Sequence, residues 1–254
     1  MVLVNKRDFK GGVRILSKLR DFYPEGFQDS EQKIQAAIDS GKVKIAVMPF
    51  EDLTYKSRYG DIGLAASSEV LSAAFNAKPL FVDFVSRDYV SQLMSEQNFG
   101  SSERVDATTA AQIGKLIGVH VFVFGRIVSV TQQYPSEIVE KGMNSEDVVS
   151  NGVPIRINAG WVKHTKTGKV TVQASYQILE VKTGRIIDAG SISRTASKAS
   201  LWVDTYGNQQ ALPNWVLSLP TGEIAIDPPE ILANQAMSGV GSEIASALLK
   251  RFEE

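Results

Sequence analysis

The run Lys42-Val43-Lys44-Ile45-Ala46-Val47-Met48-Pro49-Phe50, followed at once by Glu51-Asp52, constrains this chain more than any other stretch. It is short, apolar at successive positions and closed by a proline. That is the pattern of a strand covered on both faces, whose exit runs straight into a polar loop. Such a strand needs helices above and below it, so the elements that follow decide the fold. Asp61 can cap a helix running to about Asn76, with Ile62, Ala65, Ala66, Val70, Ala73 and Ala74 on one side and Leu64, Leu71 and Phe75 widening the apolar face. Leu80–Val85 reads as the next strand. Ser86 can cap a helix carrying Tyr89, Val90, Leu93 and Met94, and Asp106–Gly118 reads as another with Ala110, Ile113, Leu116 and Ile117 inward. Val119–Val130 is the most strand-like run, apolar on both faces until Gly125. Strands and helices in this alternation imply crossovers on one sheet.

The chain then changes character. Val170–Val181 alternates through Val170, Val172, Ala174, Tyr176 and Ile178, and Arg185–Thr195 follows it across Lys182-Thr183-Gly184. That is a hairpin with one buried and one wet face. Asp227-Pro228-Pro229-Glu230 opens a last helix through Ile231, Leu232, Ala236, Val240, Ile244 and Leu248 to about Phe252. Upstream of the first strand, Phe9, Val13, Leu16 and Leu19, then Ile34, Ala37 and Ile38, recur at helical spacing and make residues 1–41 a helical lead-in. Two segments, 132–168 and 196–226, interrupt the frame. Both exceed the roughly 12–15 residues of a plain connection.

Composition narrows the chemistry. The chain has 254 residues, a net charge of -1, two histidines and no cysteine. Disulfides, thiolate metal sites, cysteine nucleophiles and a cysteine lipid anchor are excluded in the chain as given. The near-neutral charge and the lack of a long basic run remove the electrostatic warrant for nucleic-acid binding. No apolar run approaches the roughly 18 residues of a transmembrane helix. Met1–Arg7 lacks the apolar core of a signal peptide, which leaves a cytoplasmic protein or a segment whose export signal is missing.

Lys44–Phe50 (KIAVMPF), Phe81–Gln97 (FVDFVSRDYVSQLMSEQ), Ala111–Ser129 (AQIGKLIGVHVFVFGRIVS) and Val170–Ser193 (VTVQASYQILEVKTGRIIDAGSIS), in this order, resemble the bacterial curli-secretion lipoprotein family (CsgG/HfaB-like). The likeness extends to the N-terminal domain of TolB-like proteins and to LpoB-type activators. It implies an α/β (α+β) fold: a mixed β-sheet packed by helices in the order β-α-β-α-α-β-β-β-α, anticodon-binding-domain-like or TolB N-terminal-like, with two long insertions. Residues 42–254 are then a single domain of this type carrying insertions 132–168 and 196–226. The resemblance further implies a non-enzymatic protein of the bacterial cell envelope, on the periplasmic side of the outer membrane if the natural N-terminus is missing. Its partners would be other envelope proteins or further copies of itself, with membrane association through a lipid anchor absent from this chain.

The family's pores are built from two β-hairpins inserted where the two long segments stand, and an oligomeric outer-membrane secretion pore is the alternative reading. Ile155, Ile157, Ala159 and Trp161 alternate suitably, but Pro135, Glu137, Glu140, Lys141, Glu146 and Asp147 oppose them, and Pro213 and Pro220 break the second segment. Soluble elaborations, as binding surfaces or an added small sheet, are the expectation.

Catalytic motifs fail their own requirements. Lys-Thr-Gly at 166–168 and 182–184 matches the letters of a penicillin-binding triplet, and Ser30-Glu31-Gln32-Lys33 those of its nucleophile element, but the Ser-Asp-Asn element is absent. Threonine-glycine between alternating runs is turn chemistry. His120, in a strand, and His164, near a turn, lack convergent partners for a triad or zinc site. No catalytic residue, cofactor or metal ligand is expected. Glu51, Asp52 and Arg58 remain a candidate ligand loop at the first strand's carboxyl end. The large aromatics of the two segments, Tyr134, Trp161, Trp202, Tyr206 and Trp215, are candidate partner contacts or a satellite core.

Overall fold

A computed structural model describes residues 8–23, 29–55, 59–86 and 118–253, with isolated positions between 86 and 118. Two helices lead in, α1 (Phe9–Phe22) and α2 (Ser30–Gly41). They are followed by β1 (Val43–Val47), β2 (Glu51–Asp52), α3 (Ile62–Asn76) and β3 (Val82–Phe84). Three long strands come next, β4 (Val121–Ser150), β5 (Val153–Glu180) and β6 (Arg185–Gly207). A 3-10 turn at Gln209–Ala211, the short α4 (Asn214–Leu217) and α5 (Pro229–Glu253) complete the chain. The helices expected from Ser86 and over Asp106–Gly118 lie outside the described residues, apart from isolated helical positions.

One mixed six-stranded sheet has the order β3-β1-β4-β5-β6, with β2 beside β4. Strand β1 is parallel to both neighbours, Ile45 lying opposite Phe84 on one side and Val121 on the other. The chain divides into two compact units. The first holds residues 1–129, 173–193 and 237–254, the second residues 130–172 and 194–236.

In the first unit the opening strand is buried on both faces. Ile45 and Val47 point one way, Ala46 and Met48 the other, and none is more than 9% exposed. Ala46 and Met48 pack with Val119, Phe122, Leu179 and Val181. Asp61 caps α3 by accepting the Leu64 N–H at 2.8 Å, and Ile62, Ala66, Val70 and Ala74 form its buried stripe. The small residues of α5 serve packing: a Cβ at Gly241 would lie 2.6 Å from Glu69 Cβ and 2.9 Å from the Val70 nitrogen, so α5 and α3 approach to backbone contact there. Glu253 then accepts the N–H groups of Leu80 (3.1 Å) and Phe81 (2.7 Å), tying the end of the chain to the turn before β3. On the other flank α1 and α2 close over Phe81 through Val13, Ile34 and Ala37.

The segment 132–168 adds strand to the sheet. It continues β4 and β5 without a break, joined by the two-residue turn Asn151-Gly152, with φ of 50° and 79°. Left-handed φ at both turn positions is the type I′ signature that suits a right-twisted hairpin. Pro135 is tolerated because among the described residues β4 has no strand on its outer side beyond the β2 pairing at Arg126 and Ile127. Ile127 and Val130 are both fully buried. The segment 196–226 forms no hairpin. β6 runs on to Gly207, and the chain continues through the 3-10 turn and α4.

Candidate interaction site

The second unit is a three-stranded extension, and its register can be read from side-chain pairs equidistant from the turn. Asp147 bonds Arg156 through two contacts of 2.8 Å, Ser145 bonds Asn158 at 2.6 Å, and Glu140 bonds Lys163 at 2.8 Å. Each pair's numbers sum to 303, the sum for Ser150 and Val153. Arg156 and Lys163 are seven residues apart on β5 and so stand on opposite faces. Charged pairs therefore occupy both faces of the hairpin shaft. Its tip is apolar: Val149, Val153 and Ile155 are exposed, Val149 by 74%.

The bidentate Arg156 bond holds the Asp147 carboxyl below its ordinary range, and the same bond raises Arg156. A depressed folded pKa stabilises at pH above the unfolded value and is lost as pH falls through the folded one. Protection of the tip amides, taken relative to the intrinsic exchange rate at each pH, is therefore expected to fall on acidification below the usual carboxylate range. Exchange measured against pH should lose that step in Asp147→Asn, and a step that persists there would assign it to another group.

One face of the extension carries a satellite core. Ala159 and Val203 pack with Ala211, Leu212 and Val216, flanked by Ile157, Trp161 and Leu219. Gly142 makes room for Trp161, since a Cβ there would meet the indole at 2.3 Å. The Trp161 N–H donates to Asn144 Oδ1 at 3.1 Å, and Trp215 meets the ring edge-on with centroids 4.8 Å apart. Gly207 (φ 87°) lets the backbone pass within reach of Asn158, whose carbonyl accepts the Asn208 N–H at 3.0 Å. Trp215 stays 44% exposed beside exposed Leu217.

The opposite face is organised around His164, which lies mid-strand in β5 and not near a turn. Its ring stacks on Trp202 with centroids 4.8 Å apart and planes 4° from parallel. Nδ1 is 2.6 Å from Glu137 of β4, while Nε2 is 3.2 Å from Asp204 of β6 without hydrogen-bond geometry. Trp202 is only 7% exposed, so its surface is spent on packing. Tyr206, 56% exposed, covers Gly160. Further along, Lys166 and Glu223 pair at 2.6 Å, and that bond raises Lys166. The Ser200 hydroxyl accepts the Ile224 N–H at 3.1 Å. A cleft of about 340 Å³ lies between Gln132, Pro135 and Val170 on the strands and Ile226, Pro229 and Leu232 on the return segment.

The remaining candidates sit elsewhere. Glu51 pairs with Arg126 at 2.9 Å and Asp52 accepts the Thr54 N–H at 2.8 Å, so both carboxylates of the proposed ligand loop are occupied by their own neighbourhood. Arg58 lies outside the described residues, as does the side chain of Tyr134, whose backbone belongs to β4. His120 accepts the Lys44 N–H through Nδ1 at 2.9 Å, which binds the start of β4 to β1. Lys166-Thr167-Gly168 lies inside β5, whereas Thr183 and Gly184 (φ 68°) form the β5–β6 turn. Among the described residues no group of three or more histidine or acidic side chains is placed to hold a metal ion, and no helix is long and apolar enough to cross a membrane.

Comparison with known proteins matches this arrangement to one family. The family of the curli production assembly/transport component CsgG matches residues 27–219. The chain belongs to the CsgG family. Among curated proteins no sequence match is found. Similar solved structures include lipoprotein GNA1162 from Neisseria meningitidis, at 10% identity over 59% of this chain and 78% of that one, TM-score 0.36. A PelC dodecamer from Paraburkholderia phytofirmans is similar at 10% identity over 80% and 88%, TM-score 0.31. The C-terminal domain of LpoB from Escherichia coli is similar at 13% identity over 63% and 93%, TM-score 0.32.

Proposed function

We propose that this chain is a non-enzymatic envelope protein that works through protein–protein contact, self-association included, with the second unit as its contact module. The observation that carries the reading is the hairpin beyond Val130. Its outer edge on β4 meets no further strand among the described residues, and its tip exposes Val149, Val153 and Ile155. Unpaired edges offer backbone donors and acceptors to another chain, and exposed apolar side chains add area to such a contact. Two exposed aromatics add contact area away from that edge, Trp215 against half-buried Trp161 on the satellite-core face and Tyr206 of β6 on the opposite face, whereas Trp202 is buried beneath His164. Membership of the curli-related family supports the same reading. The partners are further copies of this chain and other envelope proteins.

Sedimentation of the full chain across a concentration series tests it. Assemblies larger than a monomer are expected, weakened about tenfold or more when Trp215 and Tyr206 are both replaced by alanine, as for anchors at the centre of an interface. A chain that stays monomeric throughout overturns the self-association.

The length of the hairpin favours a second reading, an oligomeric outer-membrane pore using 132–168 and 196–226. From Val130 to the turn β4 extends about 65 Å, more than a spanning strand requires. The charged pairs on opposite faces, and the absence of a hairpin in 196–226, weigh against it. Conductance in planar bilayers that disappears when the hairpin is removed would establish the pore instead.

A further inference from the structure

Helix α1 carries two apolar stripes, and the fold uses one. Phe9, Val13 and Leu16 turn toward α2 and Phe81, where Val13 is buried. Ile15 and Phe22 stand about half a turn away from that stripe, seven residues apart and hence on one face, with Lys18 between them and Arg14 at their flank. Among the described residues nothing covers this face. Ile15 is 53% and Phe22 77% exposed, and Arg14 and Lys18 are exposed as well. Neither cation has a carboxylate partner among the described residues, unlike Lys33 with Asp29, Lys42 with Asp39 and Arg126 with Glu51 in the same unit.

We infer that the outer face of α1 rests on an anionic phospholipid surface. Apolar side chains interleaved with unpaired cations along one side of a helix of low overall hydrophobicity match the interface between headgroups and acyl chains. The rings and branched chains enter the boundary while guanidinium and ammonium groups meet phosphates. A protein surface that took the same face would have to present carboxylates to Arg14 and Lys18 and a pocket for Phe22. A bilayer rich in anionic lipid offers both without a matched shape. Helix α1 spans Phe9–Phe22, about 21 Å, long enough to lie along the surface with both apolar side chains engaged. The contact is independent of the second unit, and it places the first unit against a membrane without crossing it.

Vesicle flotation of the full chain tests the inference, using phosphatidylcholine alone and phosphatidylcholine with phosphatidylglycerol at about two to one, compositions that isolate the anionic headgroup. Binding is expected only to the anionic vesicles, declining with salt. Arg14→Glu with Lys18→Glu, and separately Ile15→Ser with Phe22→Ser, should each reduce the bound fraction about tenfold or more, while the exposed Lys182→Glu leaves it unchanged. Because the chain has no cysteine, Phe22→Cys takes a single environment-sensitive dye, whose emission should shift to the blue on anionic vesicles alone. That readout holds even if a double variant folds poorly. Equal binding to both vesicle types, or a dye that does not respond, overturns the inference. So does lipid-independent association of the chain that the charge-reversed variant abolishes, which would assign this face to a second copy.

Discussion

Removing residues 145–150 and 153–158 should abolish self-association while leaving the first unit folded. Six residues leave each strand, so Asn144 and Ala159 come to flank Asn151-Gly152. An even number preserves the alternation of narrow and wide pairs in the ladder, and the type I′ turn remains closed by the same kind of pair. The Trp161–Asn144 bond and the packing of Ala159 survive. What disappears is the apolar tip, the Asp147–Arg156 and Ser145–Asn158 pairs, part of the open edge, Ile157 at the margin of the satellite core and the Asn158 carbonyl that accepts the Asn208 N–H. Sedimentation should report a monomer, and thermal melting a first-unit transition near that of the intact chain. Assembly that proceeds as before in the shortened chain would remove the tip from the interface and leave the face around Trp215 as the contact.

The second large effect falls on stability. Gly63→Ala is expected to destabilise by about 3 kcal/mol or more, because overpacking against backbone cannot be relieved by a rotamer change. A Cβ at Gly63 would lie 1.9 Å from the Phe50 carbonyl oxygen and 3.0 Å from its carbon. Phe50 cannot retreat, since its ring lies over Gly125, where a Cβ would come within 2.3 Å. In a chain of this size the change corresponds to a fall in melting temperature of roughly 6–12 °C. Gly184→Ala is the comparison. It meets no neighbouring atom and should lose only about 1–2 kcal/mol, from its φ of 68°. Equal melting temperatures for the two variants would contradict the packing account.

The first unit is legible in the sequence because each of its elements is specified locally. Apolar residues on both faces of Lys44–Phe50, the cap at Asp61 and the prolines before α5 each point to one structure, and these elements form as expected. The second unit was read less well. Asn151-Gly152, between Val148-Val149 and Val153, is among the strongest short hairpin signals, but it is embedded in Glu137, Glu140, Lys141, Glu146 and Asp147, which suggest a solvated loop. Three of them, Asp147, Glu140 and Glu137, are partnered across the strand by Arg156, Lys163 and His164, residues that no local window brings together. The same limit applies to the aromatics. That Trp202 lies beneath His164 while Trp215 faces outward depends on pairing between β5 and β6 and on the return of 208–219, neither written in the spacing of the tryptophans. The outward stripe of α1 escapes the sequence for a simpler reason: Phe9, Val13 and Leu16 already account for one face, and only the tertiary structure reveals that none of the described residues covers Ile15 and Phe22.

The bond from Glu253 to Leu80 and Phe81 has a consequence for how the chain comes to be. During synthesis the chain emerges N-terminus first, yet the first unit takes a helix from residues 237–254, which follow the whole of the second unit. Until α5 is released, α3 has nothing against its Glu69–Val70 stretch and the turn before β3 has no acceptor for two backbone N–H groups. The first unit therefore closes only once residues 237–253 are in place, after the whole of the second unit has been made.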